Sequence, residues 1–235
     1  MRIWDVQMSK IPTFVPSHLH ICTSAYQHIN IMFTGIIESL GEVISTKKEG
    51  GNLLITIGSS LTPELKVDQS IAHNGVCLTV TRLLDNAYEI VAVAETLQKT
   101  NLGQLTPGQK VNLERAMLFN GRIDGHLVQG HVDSVGECLS VTPQDGSWEF
   151  RFRYPEAFAA LLVEKGSICL NGISLTIFNV TDREFSIAVI PYTYQYTNIS
   201  AVQPGHTVNL EFDILGKYVA RQLQVSSLQA ATAAG

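Results

Sequence analysis

A thiol at Cys77 and a hydroxyl at Ser174 stand 97 positions apart, and the same offset recurs along the chain. It pairs His73 with Leu170, Glu95 with Tyr192 and Asp68 with Lys165, while an offset of 95 pairs Ile36 with His131. Each pair sets a nucleophile-type or acid/base-type side chain against a residue of unlike chemistry. Imidazole alone has an unperturbed pKa near neutrality, so His131 is the leading general acid/base candidate. Matching positions with unlike groups suit a reaction in which two like molecules play unlike roles.

The offset reflects a duplication. Ser70 to Glu114 returns as Ser167 to Glu211, with 18 of 45 positions identical and no gap. The shared residues include Asn74/Asn171, Gly75/Gly172, Thr79/Thr176, Thr96/Thr193, Asn101/Asn198 and the block Val111–Glu114, repeated at Val208–Glu211. A common fold class would not copy turn and polar residues at one offset, so the chain reads as two tandem copies of one small domain. The second copy begins earlier, where Thr34–Val43 aligns with Gln129–Cys138.

The elements that must position these residues read as short strands. Met32–Thr46 alternates, with Gly at bends; Asn52–Ile57, Val76–Leu84, Tyr88–Val93 and Lys110–Leu113 are rich in strand formers, separated by turns at Asp85-Asn86 and Pro107-Gly108. About six short strands per copy favour a closed barrel, which hides its edges. Pro155–Val163 is expected to form a short helix over one barrel end. Asp213–Leu223 places Ile214, Leu215, Tyr218, Val219 and Leu223 on one helical stripe, suited to an oligomer contact. The fold expected is all-β: two tandem six-stranded Greek-key barrels and a C-terminal α-helix. The boundaries expected are 1–31 for an extension outside the fold and 32–125 for the first barrel. The second barrel and the start of the helix take 126–221, and a tail takes 222–235. Residues 1–31 lack strand or helix periodicity and the apolar run of a signal peptide, and Met32 reads as the natural start.

Several residues also have plainer readings. The two Asn-Gly pairs are strong hairpin-turn signals. Cys77 can be a small buried hydrophobe. His126 and His131 lie five apart in a strand-like context, so they face opposite sides and do not easily share a metal. Thr79 and Thr176 suit strands with or without a ligand. A net charge of −5 gives no electrostatic case for nucleic acid or an anionic membrane surface. There is no apolar run long enough to span a bilayer. The four cysteines form neither a zinc pattern nor a disulfide framework, and a cytoplasmic location is expected.

Several motifs together carry a resemblance: Met32–Glu38 (MFTGIIE), His73–Val80 (HNGVCLTV), Glu95–Gly103 (ETLQKTNLG), Val111–Ala116 (VNLERA), Gly125–Asp133 (GHLVQGHVD) and Lys165–Thr176, which ends in NGISLT. In this order and spacing the chain resembles riboflavin synthase, the lumazine-binding α-chain type, from Met32 to about Leu223. The resemblance implies a homotrimer that converts two molecules of 6,7-dimethyl-8-(1-D-ribityl)lumazine into riboflavin and 5-amino-6-(D-ribitylamino)uracil. It implies no metal and no redox cofactor, and one lumazine per barrel. The active site would form where the N-barrel of one subunit meets the C-barrel of its neighbour. Association with lumazine synthase is a partnership the sequence leaves open.

By position, the family's functional residues fall on Ser70, Cys77, His131, Lys165, Ser174, Thr176 and Asp213. Ser70, Cys77, Leu78 and Thr79 are expected to line the N-barrel site. Ring edges would be held by Gly35, Ile36 and Ile37, and by Val91, Ala92, Val93 and Ala94. Gly130, His131 and Val132 would do the same, as would Ala188, Val189, Ile190 and Pro191. Ser174, Leu175 and Thr176 line the C-barrel site, and Glu95, Thr96, Tyr192 and Thr193 meet the ribityl chains. Two positions depart from the family pattern: Asn171 replaces a common Asp and is expected to keep the turn and a hydrogen bond, and Tyr192 replaces a common Glu. Non-catalytic lumazine-binding paralogues that act as optical antennae are the alternative class. Retention of the polar residues at 70, 77 and 131 favours the enzyme.

Overall fold

The computed structural model describes residues 32–233, and expectations about the first 31 residues lie outside them. The first barrel is built from β1 (Ser39–Glu49), β2 (Asn52–Gly58), β3 (Ser70–His73), β4 (Val76–Leu83), β5 (Ala87–Ala92) and β6 (Lys110–Arg115). The second is built from β7 (Ser134–Gln144), β8 (Ser147–Arg153), β9 (Ser167–Leu170), β10 (Ile173–Phe178), β11 (Glu184–Val189) and β12 (Thr207–Phe212). Each closes in the same antiparallel order, β1-β2-β5-β4-β3-β6 and its equivalent, so no edge strand is left open. Two-residue turns set the leading hairpins. Glu49 pairs with Asn52 across Gly50-Gly51, and Gln144 with Ser147 across Asp145-Gly146. Both long first strands carry a bulge at the same place, Val43/Ser45 and Cys138/Ser140, which bends them around the barrel.

Strand alternation fills the interiors. In β5, Tyr88, Ile90 and Ala92 are buried and the residues between them are not. The first core is aliphatic around Tyr88, whereas the second holds Phe150, Phe152, Phe185 and Phe212. The expected short helix is a 3₁₀ segment, Glu156–Leu161, and short helices α1 (Ala94–Lys99) and α2 (Pro191–Tyr196) follow β5 and β11. The C-terminal helix α3 runs from Ile214 to Ala233, well past the expected boundary at residue 222. The stretch expected as a tail is therefore helical almost throughout. Leu215, Tyr218, Val219 and Leu223 on α3 are exposed, an apolar stripe that neither barrel covers. No helix among the described residues is long and apolar enough to cross a membrane.

His73 is core rather than site. It is fully buried, with Nδ1 donating to the Ile71 carbonyl at 3.1 Å and Nε2 accepting from the Tyr88 hydroxyl at 2.8 Å. The second barrel puts Leu170 and Phe185 at the equivalent positions. Burial lowers the His73 pKa from 6.5 to about 3. The native state therefore excludes a proton that the unfolded chain binds. The neutral ring stabilises the fold fully above pH 6.5, and that contribution falls away as pH drops toward 3, by on the order of 4 kcal/mol. The double variant His73→Leu/Tyr88→Phe should lose this part of the acid sensitivity. Denaturant midpoints between pH 4 and 7, compared with the parent protein, check it. Glu114, raised to about 6 by burial, acts with the opposite sign in both proteins and cancels in the difference.

The barrels meet across a pseudo-twofold junction. The Asn74-Gly75 and Asn171-Gly172 hairpin tips face each other so closely that a Cβ on Gly172 would lie 2.8 Å from the Gly75 nitrogen. Both asparagines are buried and left-handed, with φ of 47° and 45°. Asn74 Oδ1 accepts from Asn112 N–H (2.8 Å) and from the Asn198 amide (2.9 Å). Asn171 Oδ1 accepts from Asn209 N–H (2.8 Å) and from the Asn101 amide (3.3 Å). Asn101 N–H then donates to Asn209 Oδ1, and Asn198 N–H to Asn112 Oδ1, so each barrel's loop is stitched to the other's last strand. The repeated asparagines are thus one network read twice. Asn171 uses only its oxygen here, and a carboxylate can accept the same two bonds. Asn171→Asp should change the melting temperature by only a few degrees, whereas Asn171→Leu, which strands the Asn209 N–H, should cost about 1–3 kcal/mol. Thermal melts of the two variants test this.

Candidate active site

The first six described residues depart from the expected strand. Met32–Ile37 does not extend β1 within its own barrel, whereas Glu38 N–H still donates to Leu113 of β6 at 2.9 Å. Phe33 instead forms an antiparallel bridge with Val128, its N–H donating at 2.7 Å and its carbonyl accepting at 3.0 Å. Beyond that bridge each barrel's opening segment lies against the other barrel. Gly35 accepts from Ser174 N–H at 2.8 Å, and Gly130 accepts from Cys77 N–H at 2.8 Å. Both glycines are left-handed (φ 77°), and a Cβ on either would collide with the side chain at 174 or 77. Ile37 packs on the second core and Val132 on the first.

This exchange divides the expected site residues into two clusters. On the first barrel, Ser70, Cys77, Leu78 and Thr79 lie on the paired strands β3 and β4. The register Val80↔Ile90 brings Val91, Ala92 and Val93 level with them, and α1 follows with Ala94, Glu95 and Thr96. Gly130, His131 and Val132 complete this cluster from the other half of the chain. On the second barrel, Ser174, Leu175 and Thr176 lie beside β9. Ile177↔Ile187 brings Ala188, Val189 and Ile190 level with them, and Pro191, Tyr192 and Thr193 open α2. Gly35, Ile36 and Ile37 complete it.

The clusters differ in chemistry. The Cys77 pKa is raised, first by burial; the Ser70 hydroxyl hydrogen-bonds the sulfur and opposes the rise, while the charge of Glu211 adds to it. Cys77 is therefore a neutral thiol at pH 7. His131 is exposed beside it. In the second cluster the Ser174 hydroxyl lies 2.7 Å from His126 Nδ1. Burial lowers the His126 pKa, and the charge of Asp213 opposes this. Spacing argues only against a metal shared by His126 and His131, and a five-residue interval says nothing of a loop packed on another barrel. Lys165 is exposed and left-handed (φ 64°), with its ammonium 5.1 Å from the centre of the Phe178 ring. Asp213 Oδ1 accepts from Leu215 N–H at 3.0 Å and caps α3. The Tyr192 and Tyr196 rings meet at 39° with centroids 4.6 Å apart, and Tyr194 stacks on Trp148 at 3.8 Å.

Two glutamates hold the exchanged segments. Glu114 on β6 accepts Thr34 N–H (2.6 Å), the Thr34 hydroxyl (2.9 Å) and Gly35 N–H (3.0 Å). Glu211 on β12 accepts Gln129 N–H at 2.7 Å, and its Oε2 is buried without a partner among the described residues. A groove of about 710 Å³ runs along the junction near Asn101, Asn198 and His206, and none of the expected site residues lines it. The two clusters are instead open, flanked by exposed Ile36, Val93, Ile190 and Tyr192.

Paired barrels that each carry an open, polar-edged platform define a duplicated small-ligand-binding protein. The lumazine binding domain family matches residues 34–116 and again 129–213. The riboflavin synthase of Actinobacillus pleuropneumoniae is 42% identical over 189 residues, covering 80% of this chain and 88% of that one. The riboflavin synthase of Bacillus subtilis (strain 168) is 42% identical over 193 residues, covering 82% and 90%. Among solved structures, LumP complexed with riboflavin superposes with a TM-score of 0.72 at 21% identity, covering 77% of this chain and 98% of that one. At that identity the likeness concerns the fold alone. The chain belongs to the lumazine-binding family of riboflavin synthases.

Proposed function

We propose that the chain catalyses the dismutation of two molecules of 6,7-dimethyl-8-(1-D-ribityl)lumazine to riboflavin and 5-amino-6-(D-ribitylamino)uracil. The observation that carries this reading is the pair of equivalent platforms with unlike polar groups. One offers a thiol, a serine and an imidazole; the other offers a Ser–His pair and a lysine. A four-carbon unit passes from one lumazine to the other. The donor's fate and the acceptor's fate differ, so one site must not copy the other.

The substrate's 7-methyl group is acidic because its carbanion delocalises into the pteridine. One molecule loses that proton, and the other accepts a nucleophile at C7. Stacking the two rings makes the encounter effectively intramolecular, worth roughly 7–11 kcal/mol of the barrier. A positioned acid/base group adds about 10²–10⁴-fold, and His131 is assigned that role. Ser70, Cys77 and Thr79 hold one ring; Ser174, Thr176 and Lys165 hold the other. Glu95, Thr96 and Thr193 contact the ribityl hydroxyls, and Asp213 acts on His126 and α3 rather than on substrate. The open faces of both platforms and the bare stripe on α3 support a homotrimer in which platforms from neighbouring subunits close on each other. The cytoplasm is the assigned compartment.

Purified protein incubated in EDTA with the lumazine and no added flavin should release one riboflavin per two lumazines consumed, followed by absorbance and chromatography. Tight binding without consumption would instead make it a ligand carrier.

A further inference from the structure

The exchange of segments leaves Glu114 and Glu211 in an unusual place. Each occupies the same place near the end of a barrel's closing strand, and each is almost fully buried. Neither faces a platform on its own barrel. Glu114, in the first barrel, grips Thr34 and Gly35, which lie on Ser174 of the second. Glu211, in the second barrel, grips Gln129, whose neighbour Gly130 lies on Cys77 of the first.

We propose that Glu114 and Glu211 are crossed positioning residues: each barrel's carboxylate fixes the segment that completes the other barrel's substrate site, so each site depends on a carboxylate across the junction. From the functional reading the proposal takes only that both platforms bind lumazine. Geometry makes the crossing specific. The Gly130 carbonyl is bonded to Cys77 N–H, and Val132 packs into the first core, so His131 between them is placed by an anchor on Glu211. The two grips are unequal. Glu114 uses both oxygens on three donors, so an amide there must turn N–H toward N–H. Glu211 uses one oxygen, so an amide can keep its single bond.

Alkylation of Cys77 by iodoacetamide, with and without lumazine, reports on the first site. Ser174→Cys in a Cys77→Ser background reports on the second. Cys22 is replaced by Ser throughout, and Cys138 and Cys169 are buried. Glu211→Ala should speed ligand-free alkylation at 77, and weaken lumazine protection there, by about tenfold each, with position 174 changed less than about twofold. Glu211→Gln should restore both values, which also separates the lost anchor from the lost charge beside Cys77. Glu114→Gln should loosen position 174 and spare 77, with no rescue by the amide. Effects confined to each glutamate's own barrel, or equal at both reporters, would overturn the crossing. If lumazine protects neither thiol in the parent, the functional reading fails, while the ligand-free rates still decide the crossing.

Discussion

Gly172→Ala is expected to cost at least about 3 kcal/mol. Two effects add. Gly172 has φ 83°, a conformation that costs an L-residue with a Cβ roughly 1–2 kcal/mol. The new Cβ would also lie 2.8 Å from the Gly75 nitrogen and 3.2 Å from its Cα. Backbone cannot move aside as a flexible side chain does, so the junction must open and the asparagine network must stretch. Gly205 supplies the control. Its φ is 88°, yet nothing lies within 4 Å of its would-be Cβ. Gly205→Ala should therefore lose only the conformational part, about 1 kcal/mol. Because Gly75 and Gly172 touch, Gly75→Ala/Gly172→Ala should cost less than the sum of its parts: once one methyl has parted the tips, the second meets a gap. Urea unfolding of the four variants measures all of this. Equal losses for Gly172→Ala and Gly205→Ala would mean that the barrels do not meet tip to tip.

That junction marks the limit of what could be read from the residues in one dimension. The barrels were legible, because alternation, two-residue turns and the internal repeat all point the same way. The Asn-Gly pairs were legible as turns. Nothing in a single sequence says that two turns 97 positions apart press on each other. The segment Met32–Glu38 alternates like a strand, and it was assigned to its own barrel for that reason. Its true neighbour is set by Gly35 and by Glu114, two of whose three donors are backbone groups that carry no sequence signal. The block VNLE was seen twice, but its glutamates look like exposed strand-end charges until the exchange buries them. His73 against Leu170 looked like divergence between sites and is divergence between cores. His126 lies on a connecting segment, where strand parity does not apply. Most of the residues proposed for chemistry lie on one or other of two equivalent strand pairs, whereas Asp213 caps α3, and each platform borrows three residues from the far half of the chain.

His131→Ile should lower turnover by about 10²–10⁴-fold while leaving two lumazines bound per chain. The substitution copies the other half of the molecule. Ile36 stands at the equivalent place, after a glycine of the same φ, and is similarly exposed, so an isoleucine is sterically acceptable at 131. The backbone anchors of that segment, Gln129 N–H on Glu211 and Gly130 on Cys77, do not involve the imidazole. Val132 packs on the first core, whereas His131, next to it in the segment that precedes β7, is exposed at the platform edge. In the proposed reaction, binding relies on the platform and the ribityl contacts, and proton movement at the exposed edge relies on the ring at 131. The variant should therefore reduce kcat far more than it raises KM, and its melting temperature should stay near that of the parent. Equilibrium titration with lumazine, followed by single-turnover formation of riboflavin, separates the two. A parallel loss of affinity and rate would make His131 a binding residue. An unchanged rate would move the proton transfer to the second platform, where Ser174 and His126 are the next groups able to carry it.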